Sequence, residues 1–123
     1  MLFRSGGIMA TLRRYCGSAI LSIDGDIIRE YCGPAIYQID GNKLRKYCGN
    51  AIYEFSGQTI RRYCGPAVAT FDGHLVRDYC GPARYQVDGN IIREYCGKAI
   101  YQVDGFMTGL QWMALITLLF VIG

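Results

Sequence analysis

Apolar and polar positions recur along this chain with a period of 16 residues. The tripeptide Tyr-Cys-Gly stands at Tyr15, Tyr31, Tyr47, Tyr63, Tyr79 and Tyr95, spaced 16 residues apart each time and without insertion. The consensus unit is Tyr-Cys-Gly-x-Ala-Ile-Tyr-x-apolar-Asp-Gly-x-x-apolar-Arg-x, with scattered departures such as Arg84 for Ile, Ala69 for Tyr and Ser56 for Asp. The last copy decays after Gly105, and Thr11-Leu12-Arg13-Arg14 matches the final quarter of a unit preceding the first. A fixed short period of this kind identifies a repeat fold in which each unit is one supersecondary element. Sixteen residues are too few for a helical repeat, and β-branched and aromatic residues dominate. The predicted unit is a β-hairpin with two strands of about six residues.

Glycine punctuates each unit twice. One turn is Asp-Gly-x, giving structural glycines at Gly25, Gly41, Gly57, Gly73, Gly89 and Gly105. The other is the Gly-x after Cys, as at Gly33-Pro34, and proline occurs only there (Pro34, Pro66, Pro82). Both suit a two-residue type II′ turn with Gly first. This register pairs Ile39 with Leu44, Tyr37 with Lys46 and Gln38 with Arg45, and across the second turn Ala35 with Cys32 and Ile36 with Tyr31. Equivalent columns pair Phe55 with Ile60, Phe71 with Val76 and Val87 with Ile92, so large apolar residues meet in every complete unit. The Arg column meets Ser22, Gln38, Glu54, Thr70 and Gln86. A slip of one residue would lose both matches.

About twelve short antiparallel strands in a meander are expected to hide their edges by closing into a shallow up-and-down barrel. Such a barrel is wider than the roughly eight strands that side chains alone can fill. Something must occupy its middle. Residues 105–123 contain no charge, and a helix there would be roughly 28 Å long, near the hydrocarbon thickness of a bilayer. Two readings follow. In the favoured one, the segment is a membrane anchor carrying Phe106, Trp112, Leu115, Leu118 and Phe120, with Trp112 at the interface. In the other, it plugs the barrel. Against the plug stands the inward-facing charged column Glu30, Lys46, Arg62, Asp78 and Glu94, costly beside an apolar helix. The chain thus divides into an N-terminal segment (1–7), a hairpin-repeat barrel (8–105) and a hydrophobic C-terminal helix (106–123).

The formal charge of +3 refines this picture. Residues 15–104 hold ten Lys/Arg and ten Asp/Glu, so the excess lies on Arg4, Arg13 and Arg14. A nucleic-acid partner is not expected, because its binder would carry excess cations on the folded domain. The first ten residues lack the apolar run of a secretory signal. With Arg4, Arg13 and Arg14 just ahead of them, the repeats are expected on the cytoplasmic side of a membrane.

Candidate chemistry is sparse. The six cysteines lie about 9–10 Å apart from hairpin to hairpin, too far for disulfides, and lack metal-ligand spacing. They read as small apolar residues packed beside Ala19, Ala35 and Ala51. Tyr37, Tyr53, Tyr85 and Tyr101 form a column that either packs across strands or offers a ligand or lipid surface. The Asp column (Asp24, Asp40, Asp72, Asp88, Asp104) reads as turn chemistry rather than a calcium array. His74 is expected to be solvated and has no placed partner. No catalytic, metal or cofactor residue is expected.

Units written Ala-Ile-Tyr-x-Ile-Asp-Gly-x-x-Ile-Arg-x-Tyr resemble the bacterial β-flower proteins, shallow pseudo-symmetric barrels of tandem hairpins similar to the Tubby C-terminal and scramblase-like folds. The resemblance covers residues 8–105 and rests on hairpin length, Asp-Gly turns and the repeat. It implies either a membrane segment, as in some β-flower proteins, or a C-terminal helix threading the barrel, as in Tubby-like domains. Tubby-like proteins bind phosphoinositides through basic residues, and the neutral repeats here do not reproduce such a patch. The expected function is a non-enzymatic, membrane-tethered module with a structural, interaction or lipid-associated role. The alternative is a soluble, helix-plugged barrel that binds a small apolar or lipid-like ligand.

Overall fold

The computed structural model describes residues 9–122, with side chains to Val121; the segment 1–7 lies outside the described residues. Twelve antiparallel strands close into one barrel in sequence order, and the first strand meets the last. They are β1 (Met9–Arg14), β2 (Ala19–Asp24), β3 (Ile27–Glu30), β4 (Ala35–Asp40), β5 (Lys43–Lys46), β6 (Ala51–Ser56) and β7 (Thr59–Arg62). The second half adds β8 (Ala67–Phe71), β9 (Leu75–Asp78), β10 (Ala83–Asp88), β11 (Ile91–Glu94) and β12 (Ala99–Asp104). The returning strand of the first five hairpins is four residues long, not six.

The Asp-Gly register is as the columns require. Ile39 faces Leu44, Phe55 faces Ile60, Phe71 faces Val76 and Val87 faces Ile92. On the outer face Arg45 opposes Gln38 and Arg61 opposes Glu54. Each turn glycine holds a positive φ, between 59° and 105°, a conformation that glycine adopts without penalty.

The second turn differs from the expected one. Tyr31, Cys32 and Gly33 form a three-residue loop: Glu30 N–H donates to the Pro34 carbonyl (3.1 Å) and Gly33 N–H to the Glu30 carbonyl (2.9 Å). Ala35 therefore opposes Arg29, Tyr37 opposes Ile28, and a bulge falls between them. The left-handed residue is the cysteine, with φ of 53° to 57° in all six copies. The glycine serves for space, since a Cβ on Gly33 would lie 3.0 Å from Glu30 Cβ. All six thiols are consequently exposed at the loop tips instead of packed beside the alanines.

Closure supplies what the last unit lacks. β1 pairs with β12, Leu12 opposite Val103, so the N-terminal quarter-unit completes the sixth hairpin. Arg13 and Asp104 form an ion pair across this seam at 3.0 Å. Gly105 must be glycine here, because a Cβ would approach the Met9 carbonyl to 2.7 Å.

The barrel is filled by the C-terminal segment. Helix α1 (Gly109–Ile116) is followed by a π-helical stretch, Thr117–Ile122. Thr108 caps α1 in a reciprocal box with Gln111. Ala114, Leu115 and Ile116 are fully buried and belong to one core with Ile23, Ile28, Leu44, Ile60 and Ile92; Thr117 beside them is fully buried too. Residues 106–122 thus do not form one continuous spanning helix; no helix among the described residues is long and apolar enough to cross a membrane. The objection from the charged column dissolves as well. Glu30, Lys46, Arg62, Asp78 and Glu94 are exposed on the rim, beyond the buried part of the helix.

Candidate functional site

The two rims of the barrel carry different chemistry. At the Asp-Gly rim, the Gln111 side-chain amide donates from Nε2 to the Gly25 carbonyl (2.7 Å), fixing the start of α1 to a turn. Two clefts flank that attachment. One, of about 400 Å³, is lined by Phe71, Leu110, Trp112 and Met113 among others; the second, of about 370 Å³, includes Ile39, Thr108 and Gln111. Of the five residues expected to form a membrane face, Phe106 is exposed, Trp112, Leu118 and Phe120 are half-buried, and Leu115 is fully buried. They share no common outward face.

The Tyr-Cys-Gly rim is the open mouth of the barrel. The expected Tyr column lies there, half-buried, and splits into two pairs. Phe120, from the π-helical stretch, stacks on Tyr85 with ring centres 3.7 Å apart and approaches Tyr101 edge-on at 6.4 Å. In this half of the mouth the plug covers the tyrosine rings. Tyr37 and Tyr53 instead line an open cavity of about 670 Å³ with Lys46, Arg62, Tyr63 and Val121. A second cavity of about 250 Å³ lies beyond Tyr53, Arg62 and Val121, beside Ala69, Arg84 and Phe120. Ala69 occupies a Tyr position of the repeat, and its small side chain leaves this space.

The polar groups of the mouth come from the rim column. Tyr37 lies directly opposite Lys46, and Tyr53 opposite Arg62. The next hairpin differs, since Ala69 opposes Asp78, whose carboxylate is bound by Arg84 at 3.3 Å. That contact raises the Arg84 pKa above its ordinary value, first through the hydrogen bond to Asp78 and then through the proximity of its charge. Sequence reasoning singled out the tyrosines but missed Lys46 and Arg62. The signal was present, because two successive units carry a cation at the same repeat position, yet a sum over the repeats cancels it.

Other expected residues lie elsewhere. His74 is on the Asp-Gly rim, where Nδ1 donates to the Val87 carbonyl at 2.8 Å. Asp72 accepts from the backbone N–H of Leu75 (2.7 Å) and of His74 (2.9 Å), an Asx-type turn. These two bonds, that from Leu75 foremost, hold its carboxyl below the ordinary range. Asp40 and Asp88 pair with Arg45 and Arg93 of their own hairpins. Among the described residues, no group of three His, Cys, Asp or Glu side chains could hold a metal ion. No family model, curated protein or solved structure matches the chain.

Proposed function

We propose that this protein is a non-catalytic binding barrel whose Tyr-Cys-Gly mouth receives a small apolar or lipid-like ligand. The observation that carries the reading is the position of the C-terminal segment. It fills the wide barrel from the Asp-Gly rim but leaves a cup of about 670 Å³ against Tyr37, Tyr53 and Val121, within the size range of small-molecule pockets. Six closed hairpins around a threaded helix also support placing the chain beside the β-flower and Tubby-like barrels. A segment buried as core is not free to tether the protein, so the reading does not use it as an anchor.

The test is titration of the full chain with the neutral fluorophore N-phenyl-1-naphthylamine. Saturable binding of one probe per chain, weakened by Tyr53→Ala at unchanged thermal midpoint, is expected. Absence of saturable binding by folded protein would refute the reading.

A membrane role has one specific support, at the opposite rim. Phe106 is 70% exposed and Leu110 42% exposed, next to Trp112. These are side chains suited to shallow insertion at a lipid interface. Flotation with neutral vesicles, abolished by Phe106→Ser with Leu110→Ser, would favour that second reading.

A further inference from the structure

The near-zero charge of the repeats conceals a segregation. Between Lys43 and Arg62 stand five cations (Lys43, Arg45, Lys46, Arg61, Arg62) and one acid, Glu54. They fall on three neighbouring strands, β5 to β7. Residues 15–104 hold ten of each sign and β1 adds Arg13 and Arg14, so the rest of the barrel has seven cations and nine acids. One sector of the barrel is therefore positive and the rest negative, a distribution that focuses a field on whatever enters the positive side.

Around the mouth the rim column reads Arg14, Glu30, Lys46, Arg62, Asp78, Glu94. Arg14 stands between the units of Glu94 and Glu30, and Asp78 is taken by Arg84. Lys46 and Arg62 are neighbours of the same sign. Neither makes a side-chain hydrogen bond or ion pair with another described residue, and both line the cavity that Tyr37 and Tyr53 line. They stand on β5 and β7, two strands apart with Tyr53 of β6 between them, so the cup presents two cations of one sign to whatever enters it. Lys43 is not among the residues lining that cavity; its Nζ lies 5.8 Å from the ring centre of Tyr63.

We propose that Lys46 and Arg62 are the anion-binding half of this cup, and that its ligand is an amphipathic organic anion. The apolar or aromatic body lies against Tyr37, Tyr53 and Val121, and a carboxylate or phosphate head sits between the ammonium and the guanidinium, which matches such oxygens in a fork. The inference rests on the binding reading and adds the chemical class of the ligand.

The experiment titrates the full chain with 2-naphthol, 2-naphthoate and 2-naphthyl phosphate, which share one aromatic body. The anions should bind about tenfold more tightly than the alcohol, with an advantage that shrinks as salt rises. Lys46→Gln and Arg62→Gln should each cost the anions roughly three- to tenfold and leave 2-naphthol unchanged, as expected for a partly exposed charge-assisted contact. Arg45→Gln removes the same charge from the same hairpin on the outer face and should change little. Equal affinities for all three probes, or an Arg45→Gln effect as large as that of Lys46→Gln, would overturn the assignment, while binding of N-phenyl-1-naphthylamine would still uphold the cup. The free or membrane-borne origin of the head is separated by sedimentation with phosphatidylcholine vesicles with and without phosphatidylserine. Capture dependent on phosphatidylserine, Lys46 and Arg62 assigns the head to lipid. Binding of naphthyl phosphate without such capture assigns it to a free molecule.

Discussion

A cysteine in the left-handed region is an expensive choice, and this chain makes it at Cys16, Cys32, Cys48, Cys64, Cys80 and Cys96. A side chain with a Cβ costs roughly 1–2 kcal/mol there, and Asn tolerates the region better. Cys32→Asn should therefore raise stability by about 0.5–1 kcal/mol in urea denaturation, and Cys32→Val should lower it. Asp72 gives a pH-dependent counterpart. Its carboxyl is held low in the folded state, so its contribution is present above the unfolded carboxylate pKa near 4. It is lost as pH falls through the lower folded value. Asp72→Asn should accordingly flatten the loss of thermal midpoint below about pH 4 and leave the alkaline side unaltered. At this scale the Asp-Gly turns were legible, because glycine there does supply positive φ. The Tyr-Cys-Gly turn was not, because its glycine answers a clash with Glu30 Cβ and the left-handed residue is one that propensity disfavours.

At the scale of elements, each hairpin is held by one inward apolar pair, and the plug is held by what those pairs surround. Leu115 is 0% exposed amid this core. Leu115→Ala should cost about 2–5 kcal/mol, the usual range for a buried leucine. A segment exposed to lipid would lose far less stability in water on the same change. The hairpins could be read from the columns because register is over-determined when every unit repeats the same pair. The direction of the C-terminal segment could not, since an uncharged run satisfies a bilayer and a barrel interior equally. The rim charges that argued against a plug lie at the mouth, two residues beyond the buried column on the same strands (Glu30 after Ile28, Lys46 after Leu44), and position along a strand is not visible in inward-outward parity alone.

At the scale of the whole molecule, two non-local devices make a single object of a repeat. β1 closes the ring by completing the hairpin begun by β12, and α1 occupies a lumen too wide for side chains to fill. The cup is what remains where the plug ends. Its aromatic wall follows from the repeat, but its cations are a departure from symmetry in two units, legible only when charges are counted by position around the ring. The claim beneath all of this is that the C-terminal segment, through Met113 to Thr117, is core. It is tested most directly by comparing the full chain with one ending at Asp104, in cooperative thermal unfolding followed by β-sheet circular dichroism. The account predicts that the shortened chain loses its cooperative transition. A shortened chain that unfolds cooperatively near the midpoint of the full chain would contradict it.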